Sequence, residues 1–138
     1  MIKILCVIIM TVGLGSATIM GAHLKEHVIS PYQGEYEMIS LGYFRIVHYC
    51  RCVRCTNSGN GITATGVEAV EGVTVAADWN VLPPGTQVYI NGNIYTVQDR
   101  GGGVRGRMID RYIGNSDHAR ALRYGVFYAE VFKLISNE

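Results

Sequence analysis

Apolar and polar side chains alternate over short stretches from residue 44 onward, which is the pattern of half-buried β-strands. The alternation is clear over residues 44–49, and the apolar run over residues 73–77 is typical of a buried strand. Six strands are predicted in all: Phe44–Tyr49, Val73–Ala77, Thr86–Ile90, Ile94–Gln98, Arg107–Tyr112 and Gly125–Leu134. So many short strands in so few residues predict an all-β fold in the form of a small barrel.

Turn and capping residues refine this pattern. Asn91-Gly92-Asn93 lies between two of the strands, and Asn and Gly adopt the positive φ angles that a tight hairpin turn needs. One short helix is predicted before the last strand, with Asn115 or Ser116 as its N-cap, Asp117 in its first turn and Gly125 after its end. The fold is therefore mainly β with one short helix.

Composition and charge restrict the function classes. The chain has 138 residues, of which 49% are hydrophobic and 17% are charged, so it is globular rather than disordered. Its net charge of +1 argues against binding nucleic acid through bulk charge. No cofactor is indicated, and a monomer is expected.

The N-terminal segment differs from the rest of the chain. Residues 4–22 carry no charge and follow Lys3, which predicts an export signal or a membrane anchor over residues 1–22. Small residues near Ala17 would allow cleavage, whereas the full length of the run could just cross a bilayer, so both alternatives stay open. Either one predicts an extracellular or cell-envelope domain. Residues 23–40 are interpreted as a spacer and residues 41–138 as the folded domain.

Cys6 falls inside the N-terminal segment, which leaves the cluster Cys50, Cys52 and Cys55. Cysteines outside the cytoplasm usually pair, so the leading interpretation is one disulfide within residues 50–55 and one free thiol, with no bound metal. A zinc site that combines the three thiolates with His48 is an alternative. Three reduced, unligated thiols are another.

Three aspartates interrupt the strand pattern. Asp78 and Asp99 each follow an apolar strand, and Asp110 lies inside one. A single Asp at a strand end is usually a turn residue. A carboxylate within a strand, however, is disfavoured by β-propensity, and positions that break a local rule are often functional. The three aspartates are therefore candidates for one site.

An ordered set of motifs accompanies these aspartates and resembles the 3D domain, a family named for its three Asp. The motifs are Thr63-Ala64-Thr65-Gly66, Gly72 to Asp78, Leu82 to Ile90, Asp99 to Gly106, Arg107 to Tyr112 and Gly125 to Val131. Upstream, the cluster of Cys50, Cys52 and Cys55 is similar to one found in many members. The resemblance covers residues 47–134, and the set as a whole is specific although each motif alone is weak.

The resemblance implies a six-stranded double-psi β-barrel that acts on peptidoglycan glycan strands. It implies a lytic transglycosylase that cleaves the MurNAc-GlcNAc β-1,4 bond and leaves a 1,6-anhydro product. Asp110 would be the catalytic acid and then base, with Asp99 beside it in the same catalytic site. Residues assigned to substrate binding are Asp78, Thr65, Gly66, Gly101, Gly102 and Arg105. Relatives include spore-associated and phage-encoded proteins.

Two other functions compete with this reading. A barrel of the same fold could bind wall polysaccharide without cleaving it, or a second carboxylate could activate water in a hydrolytic glycosidase. Arg100, Gly103 and Arg111 depart from the residues usual in the family, and the two arginines add positive charge near the predicted site. Trp79, the single tryptophan, is predicted either to stack on a sugar or to pack within the domain.

Overall fold

The structure is a computed structural model that describes residues 27–29, 35–114 and 118–136. Seven strands and two short helices are found in these ranges. The elements are β1 (His27–Ile29), β2 (Glu35–Tyr49), α1 (Val53–Thr56), β3 (Thr74–Ala77), β4 (Gln87–Ile90), β5 (Asn93–Asp99), β6 (Met108–Tyr112), α2 (His118–Tyr124) and β7 (Phe127–Ser136). The predicted segment 1–22 and the predicted capping residues 115–117 lie outside the described residues.

Six of the strands form a closed ring in the order β2-β6-β3-β5-β4-β7, because β7 pairs with β2 as well as with β4. Two pairs are parallel, β2 with β6 and β3 with β5, and the other pairs in the ring are antiparallel. The predicted all-β class and six-stranded barrel are therefore confirmed. The double-psi crossing implied by the resemblance is a finer statement and stays a prediction.

The barrel interior is filled by apolar side chains that face inward from alternate strand positions. The main core cluster consists of Phe44, Ile46, Val75, Ala77, Leu82, Val88, Ile90, Tyr95, Val97, Ile109, Ala129 and Val131. Most of these residues are β-branched or aromatic, which suits a pleated and buried surface. The core therefore fixes the strands on which the candidate site residues lie.

The predicted hairpin is present between β4 and β5, with Ile90 paired to Asn93. Asn91 and Gly92 have φ angles of 46° and 89°, which are the left-handed values of a two-residue hairpin turn. Asn93 therefore begins β5 instead of belonging to the turn.

The N-terminal part of the sheet differs from the predicted organisation. The segment interpreted as a spacer, residues 23–40, overlaps the sheet, because β1 pairs with residues 35–37 at the start of β2. The long strand β2 then continues through a bulge between Ser40 and Tyr43. Among the described residues, no helix is long and apolar enough to cross a membrane.

Candidate active site

Two of the three aspartates lie side by side on the barrel wall. Ala76 of β3 pairs with Asp99 at the end of β5 and with Asp110 in the middle of β6. Paired residues on neighbouring strands project to the same face of a sheet. The two carboxylates therefore point to one face, with only the methyl group of Ala76 between their positions.

This face forms one wall of a surface cleft. The cleft is lined by Tyr49, Cys55, Thr56, Asn57, Gly61, Ile62, Ala69, Ala76, Asp99, Arg100, Gly101, Gly102, Asp110 and Tyr112. The lining is rich in hydroxyl, amide and glycine backbone groups, and both carboxylates open into it. Such a combination of polar groups in a concave surface suits a hydrated ligand better than an apolar one.

Asp110 has the electrostatics of an acid that works near neutral pH. Its Oδ1 atom is buried and has no hydrogen-bond partner among the described residues. Burial, and secondarily the charge of Asp99, raise the pKa of Asp110 to about 7. A carboxyl with this pKa is partly protonated at neutral pH, so it can either donate or accept a proton.

Asp99 is held by three hydrogen bonds, and both of its carboxylate oxygens take part. Its Oδ1 atom accepts bonds of 2.9 Å from the backbone N–H groups of Ala64 and Arg100. Its Oδ2 atom accepts a bond of 2.9 Å from the Tyr49 hydroxyl. Burial and the charge of Asp99 raise the pKa of Tyr49, so this hydroxyl stays protonated and remains a donor. The position of Asp99 beside Asp110 is thereby fixed.

Asp78 takes no part in this cleft. Its Oδ2 atom accepts a 2.8 Å bond from the backbone N–H of Gly106, and its Oδ1 atom accepts bonds from the backbone and side chain of Asn80. The Gly106 bond and then the Asn80 bonds lower the pKa of Asp78. Its carboxylate therefore joins the loop after β3 to the loop before β6.

The other predicted substrate-binding residues divide into two groups. Gly101 and Gly102 line the cleft beside Asp99. Thr65, Gly66 and Arg105 are absent from the lining. The Thr65 hydroxyl donates to the carbonyl of Gln98 at 2.8 Å, so this residue holds the end of β5 and acts on the cleft through the position of Asp99.

The arginines near the site do not neutralise Asp110. Arg111 follows Asp110 in the strand and places its guanidinium 4.9 Å from the centre of the Tyr95 ring. Arg100 lies at the cleft and stacks 4.7 Å from the Trp79 ring. The Trp79 indole donates to the Asp99 carbonyl at 3.1 Å and packs against the core. Of the two predicted roles, this tryptophan therefore has the one of packing within the domain.

The cysteine segment also contributes to the lining of the cleft. Cys50 is fully buried, and the short helix α1 that follows places Cys55 and Thr56 in the cleft lining. All three cysteines are unpaired, with the Cys50 and Cys55 sulfurs 3.8 Å apart, and the disulfide stays a prediction. His48 is the fourth ligand in the zinc alternative, but its side chain makes other contacts. Its Nδ1 atom bonds to the Gly125 carbonyl, and its ring stacks on Tyr124.

Sequence reasoning missed two contributors to the site. Tyr49 precedes the cysteine cluster in the sequence, but its contact with Asp99 depends on the strand order β2-β6-β3-β5 in the barrel. His118 lies 63 residues after Cys55 and was not connected with the cysteines, although its Nδ1 atom is 3.3 Å from the Cys55 sulfur. Neither position carried a local signal, since both contacts depend on the barrel topology.

The fold and the cleft together define a class of protein: a small β-barrel with paired acidic residues in a polar surface cleft. Residues 73–134 match the family model of the 3D domain. This match falls within the part of the chain whose motifs resemble that family. No curated protein matches the sequence significantly.

Two solved structures share the fold. MltA from Escherichia coli with bound chitohexaose has 24% identity and a TM-score of 0.50, and the match covers 56% of this chain and 28% of that chain. The lytic transglycosylase LtgG of Burkholderia pseudomallei has 21% identity and a TM-score of 0.50, with 56% and 27% covered. The chain thus matches little more than a quarter of the length of these enzymes, and at these identities the likeness establishes the fold.

Proposed function

We propose that this domain is a peptidoglycan lytic transglycosylase in which Asp110 is the catalytic residue. The observation that carries the proposal is the buried carboxyl of Asp110, whose pKa is raised to about 7 beside Asp99. A glycosidic oxygen must be protonated as it leaves, and a carboxylic acid with a raised pKa is the usual donor. The 3D-domain match and the fold shared with two lytic transglycosylases support the same reaction class.

The proposed mechanism uses one carboxyl twice. Protonated Asp110 gives its proton to the oxygen that joins MurNAc to GlcNAc, and the bond from that oxygen to C1 of MurNAc breaks. The resulting carboxylate then removes the proton of the MurNAc 6-hydroxyl, whose oxygen forms the new bond to C1. The products are a 1,6-anhydro end and a free GlcNAc hydroxyl, and Asp110 is protonated again.

The hydrogen bonds of Asp99 favour this mechanism over hydrolysis. An inverting glycosidase needs a second carboxylate that is free to activate a water, and a retaining one needs it as a nucleophile. Both oxygens of Asp99 are already engaged by Tyr49 and by two backbone N–H groups. Asp99 is better suited to holding negative charge beside Asp110, which keeps the acid protonated.

The substrate proposal follows from the cleft. Gly101 and Gly102 have no side chains to fill the cleft, so a glycan strand can approach the carboxylates closely. Arg100 adds a positive charge at the cleft, which can bind the peptide carboxylates of peptidoglycan. With this substrate, the domain belongs in the cell envelope or outside the cell, which is the location that the N-terminal segment predicts. We include both the location and a monomeric state in the proposal.

The test is to incubate the purified protein with peptidoglycan and to identify the released fragments by mass spectrometry. We expect 1,6-anhydro ends, and we expect Asp110→Asn to lower their release by roughly 10²-fold or more. Glu68→Gln is the matched control, because this carboxylate is 71% exposed and lies outside the cleft lining. It should keep full activity.

Each competing function predicts a different result in this experiment. Reducing ends in place of anhydro ends would show a hydrolase. Binding to peptidoglycan without any released fragment, by both the unchanged protein and Asp110→Asn, would show a binding module. Near-normal release of anhydro fragments by Asp110→Asn would refute the role of Asp110.

A further inference from the structure

The three cysteines and one distant histidine converge behind the cleft. Cys50 and Cys52 follow the end of β2, Cys55 lies in α1, and His118 is the first residue of α2. One ligand atom from each residue lies within 4.8 Å of all the others. We propose that Cys50, Cys52, Cys55 and His118 form a structural zinc site.

The distances among these atoms fit a tetrahedral ion. Zinc binds thiolate sulfur at about 2.3 Å and imidazole nitrogen at about 2.0–2.1 Å, so ligand atoms around a tetrahedral ion are roughly 3.5–3.8 Å apart. The Cys50 and Cys55 sulfurs are 3.8 Å apart. The His118 Nδ1 atom is 3.3 Å from the Cys55 sulfur and 3.9 Å from the Cys52 sulfur. The remaining pairs of ligand atoms are within 4.8 Å, so shifts of about 1 Å or less would complete the site.

The chemistry of the four groups also favours a metal over a disulfide. A disulfide among three cysteines leaves one thiol and the histidine without a bond, whereas one zinc ion uses all four groups. A sulfur–sulfur bond is about 2.05 Å long, so forming it would pull two of the sulfurs well out of their present positions. Three soft thiolates with one imidazole are a usual ligand set for structural zinc.

Local structure orients the ligands. The backbone carbonyl of Cys52 accepts bonds from the N–H groups of Cys55 and Thr56, which wraps the segment into one turn around the site. Cys50 is fully buried and packs with Ile113 and Ala121. Ala121 comes from the same helix as His118, so apolar contacts hold α2 against the cysteine segment on one side of the proposed ion.

The zinc ion would have a structural role and would take no part in the reaction. Its first three ligands lie between Tyr49 and Thr56 in the chain, and both of these residues line the cleft. Its fourth ligand is separated from them by 63 residues of sequence. Zinc would therefore join α2 to the cleft wall, and its removal would loosen that wall without taking away Asp99 or Asp110.

The experiment measures metal directly and does not depend on the proposed activity. The full chain, purified without chelators, is analysed for zinc by elemental mass spectrometry and for disulfides by intact mass after alkylation. We expect about one zinc per chain with all three cysteines reduced. Replacement by Co²⁺ should give the visible absorption of a tetrahedral thiolate site, and a chelator should lower the melting temperature.

Matched histidine variants identify the fourth ligand. His118→Gln should lose most of the bound zinc, whereas His48→Gln should keep it, because the His48 ring lies against Tyr124. If His118→Gln does not fold, His118→Cys supplies the test, since a fourth thiolate should restore zinc binding. A stoichiometric disulfide without metal would overturn the proposal. Loss of zinc in His48→Gln but not in His118→Gln would overturn the ligand set.

Discussion

The hydroxyl of Tyr49 donates a 2.9 Å hydrogen bond to Asp99 Oδ2. This bond joins the end of β2 to the end of β5, and both residues line the cleft. The residue after Tyr49 is Cys50, the first of the clustered cysteines, so the cleft and the cysteine cluster share a continuous stretch of backbone. A structural change in the cleft or in the cysteine cluster can therefore affect the other through the adjacent residues Tyr49 and Cys50.

Removal of this hydroxyl should weaken the site. Tyr49→Phe leaves one oxygen of Asp99 without its side-chain donor, and a polar group left unsatisfied in a partly buried position costs about 1–3 kcal/mol. We expect a fall in kcat of roughly tenfold or more, with a lower melting temperature. Tyr89→Phe is the control, because Tyr89 packs against Phe132 on another part of the barrel. Equal activity in the two variants would contradict the positioning role of Tyr49.

The charge of Asp99 should be visible in the pH dependence. Asp110 acts first as an acid, so kcat/KM should decline above its pKa of about 7. Asp99→Asn removes a negative charge that raises this pKa, so the decline should begin at lower pH. A loss of activity with an unchanged pH profile would mean that Asp99 contributes only to structure. The profile is measured as the initial rate of anhydro-fragment release from pH 4 to 9.

Asp110 should also make the protein less stable as pH rises. Its pKa is about 7 in the folded protein, against 3.8 for an aspartate that is exposed to water. Between these values the folded state binds more protons than the unfolded state, so the free energy of unfolding falls with increasing pH and levels off above about pH 7. Asp110→Asn should remove this fall and should be more stable than the unchanged protein at pH 8 by a few kcal/mol, as an order of magnitude. Urea unfolding at pH 4 and pH 8 tests the difference, and a parallel pH dependence in both proteins would refute it.

Asp78 should show the opposite dependence on pH. Its pKa is lowered in the folded protein by its bonds to Gly106 and Asn80. Its contribution to stability is therefore present above the unfolded pKa and is lost as pH falls through the folded one. Asp78→Asn should lower the melting temperature at pH 7 more than at pH 3, as measured by circular dichroism. At a temperature where the variant is folded, it should retain most of its activity.

The glycines of the cleft wall offer a test of substrate approach. A Cβ at Gly102 or at Gly103 would have no atom within 4 Å, and neither residue has a positive φ angle, so alanine should fold at both positions. Gly102 lines the cleft and Gly103 does not. Gly102→Ala should raise KM several-fold, as expected for about 1 kcal/mol of crowding, while Gly103→Ala should leave it unchanged. Equal KM values would place the glycan elsewhere.

The local features of the fold could be predicted from the sequence, because each depends on neighbouring residues. The Asn91-Gly92 turn is one case, since both residues accept the left-handed backbone that the hairpin requires. The apolar run of β3 is another. The helix α1 was missed because its four residues include a cysteine and β-branched side chains, which give no helical period.

The site could be predicted only in part, because no single segment of the sequence determines the order of the strands. The resemblance brought Asp99 and Asp110 together correctly, and Asp110 also stood out as a carboxylate inside a strand. Asp78 looks equivalent in sequence, yet its position at the end of β3 turns it toward the Gly106 loop. His118 meets the cysteines through packing of α2, which no spacing rule could indicate.

The closure of the ring by β2 and β7 has a consequence for how the barrel folds. These two strands are paired along most of their length although they are separated by about 90 residues, as the bond from Ser40 to Glu130 shows. β7 follows the other five strands of the ring in sequence, so the core cannot be complete before β7 has left the ribosome. Contacts between such distant segments also slow folding. Until β7 is available, β2 and β4 therefore keep unpaired edges, which can pair with strands of other chains.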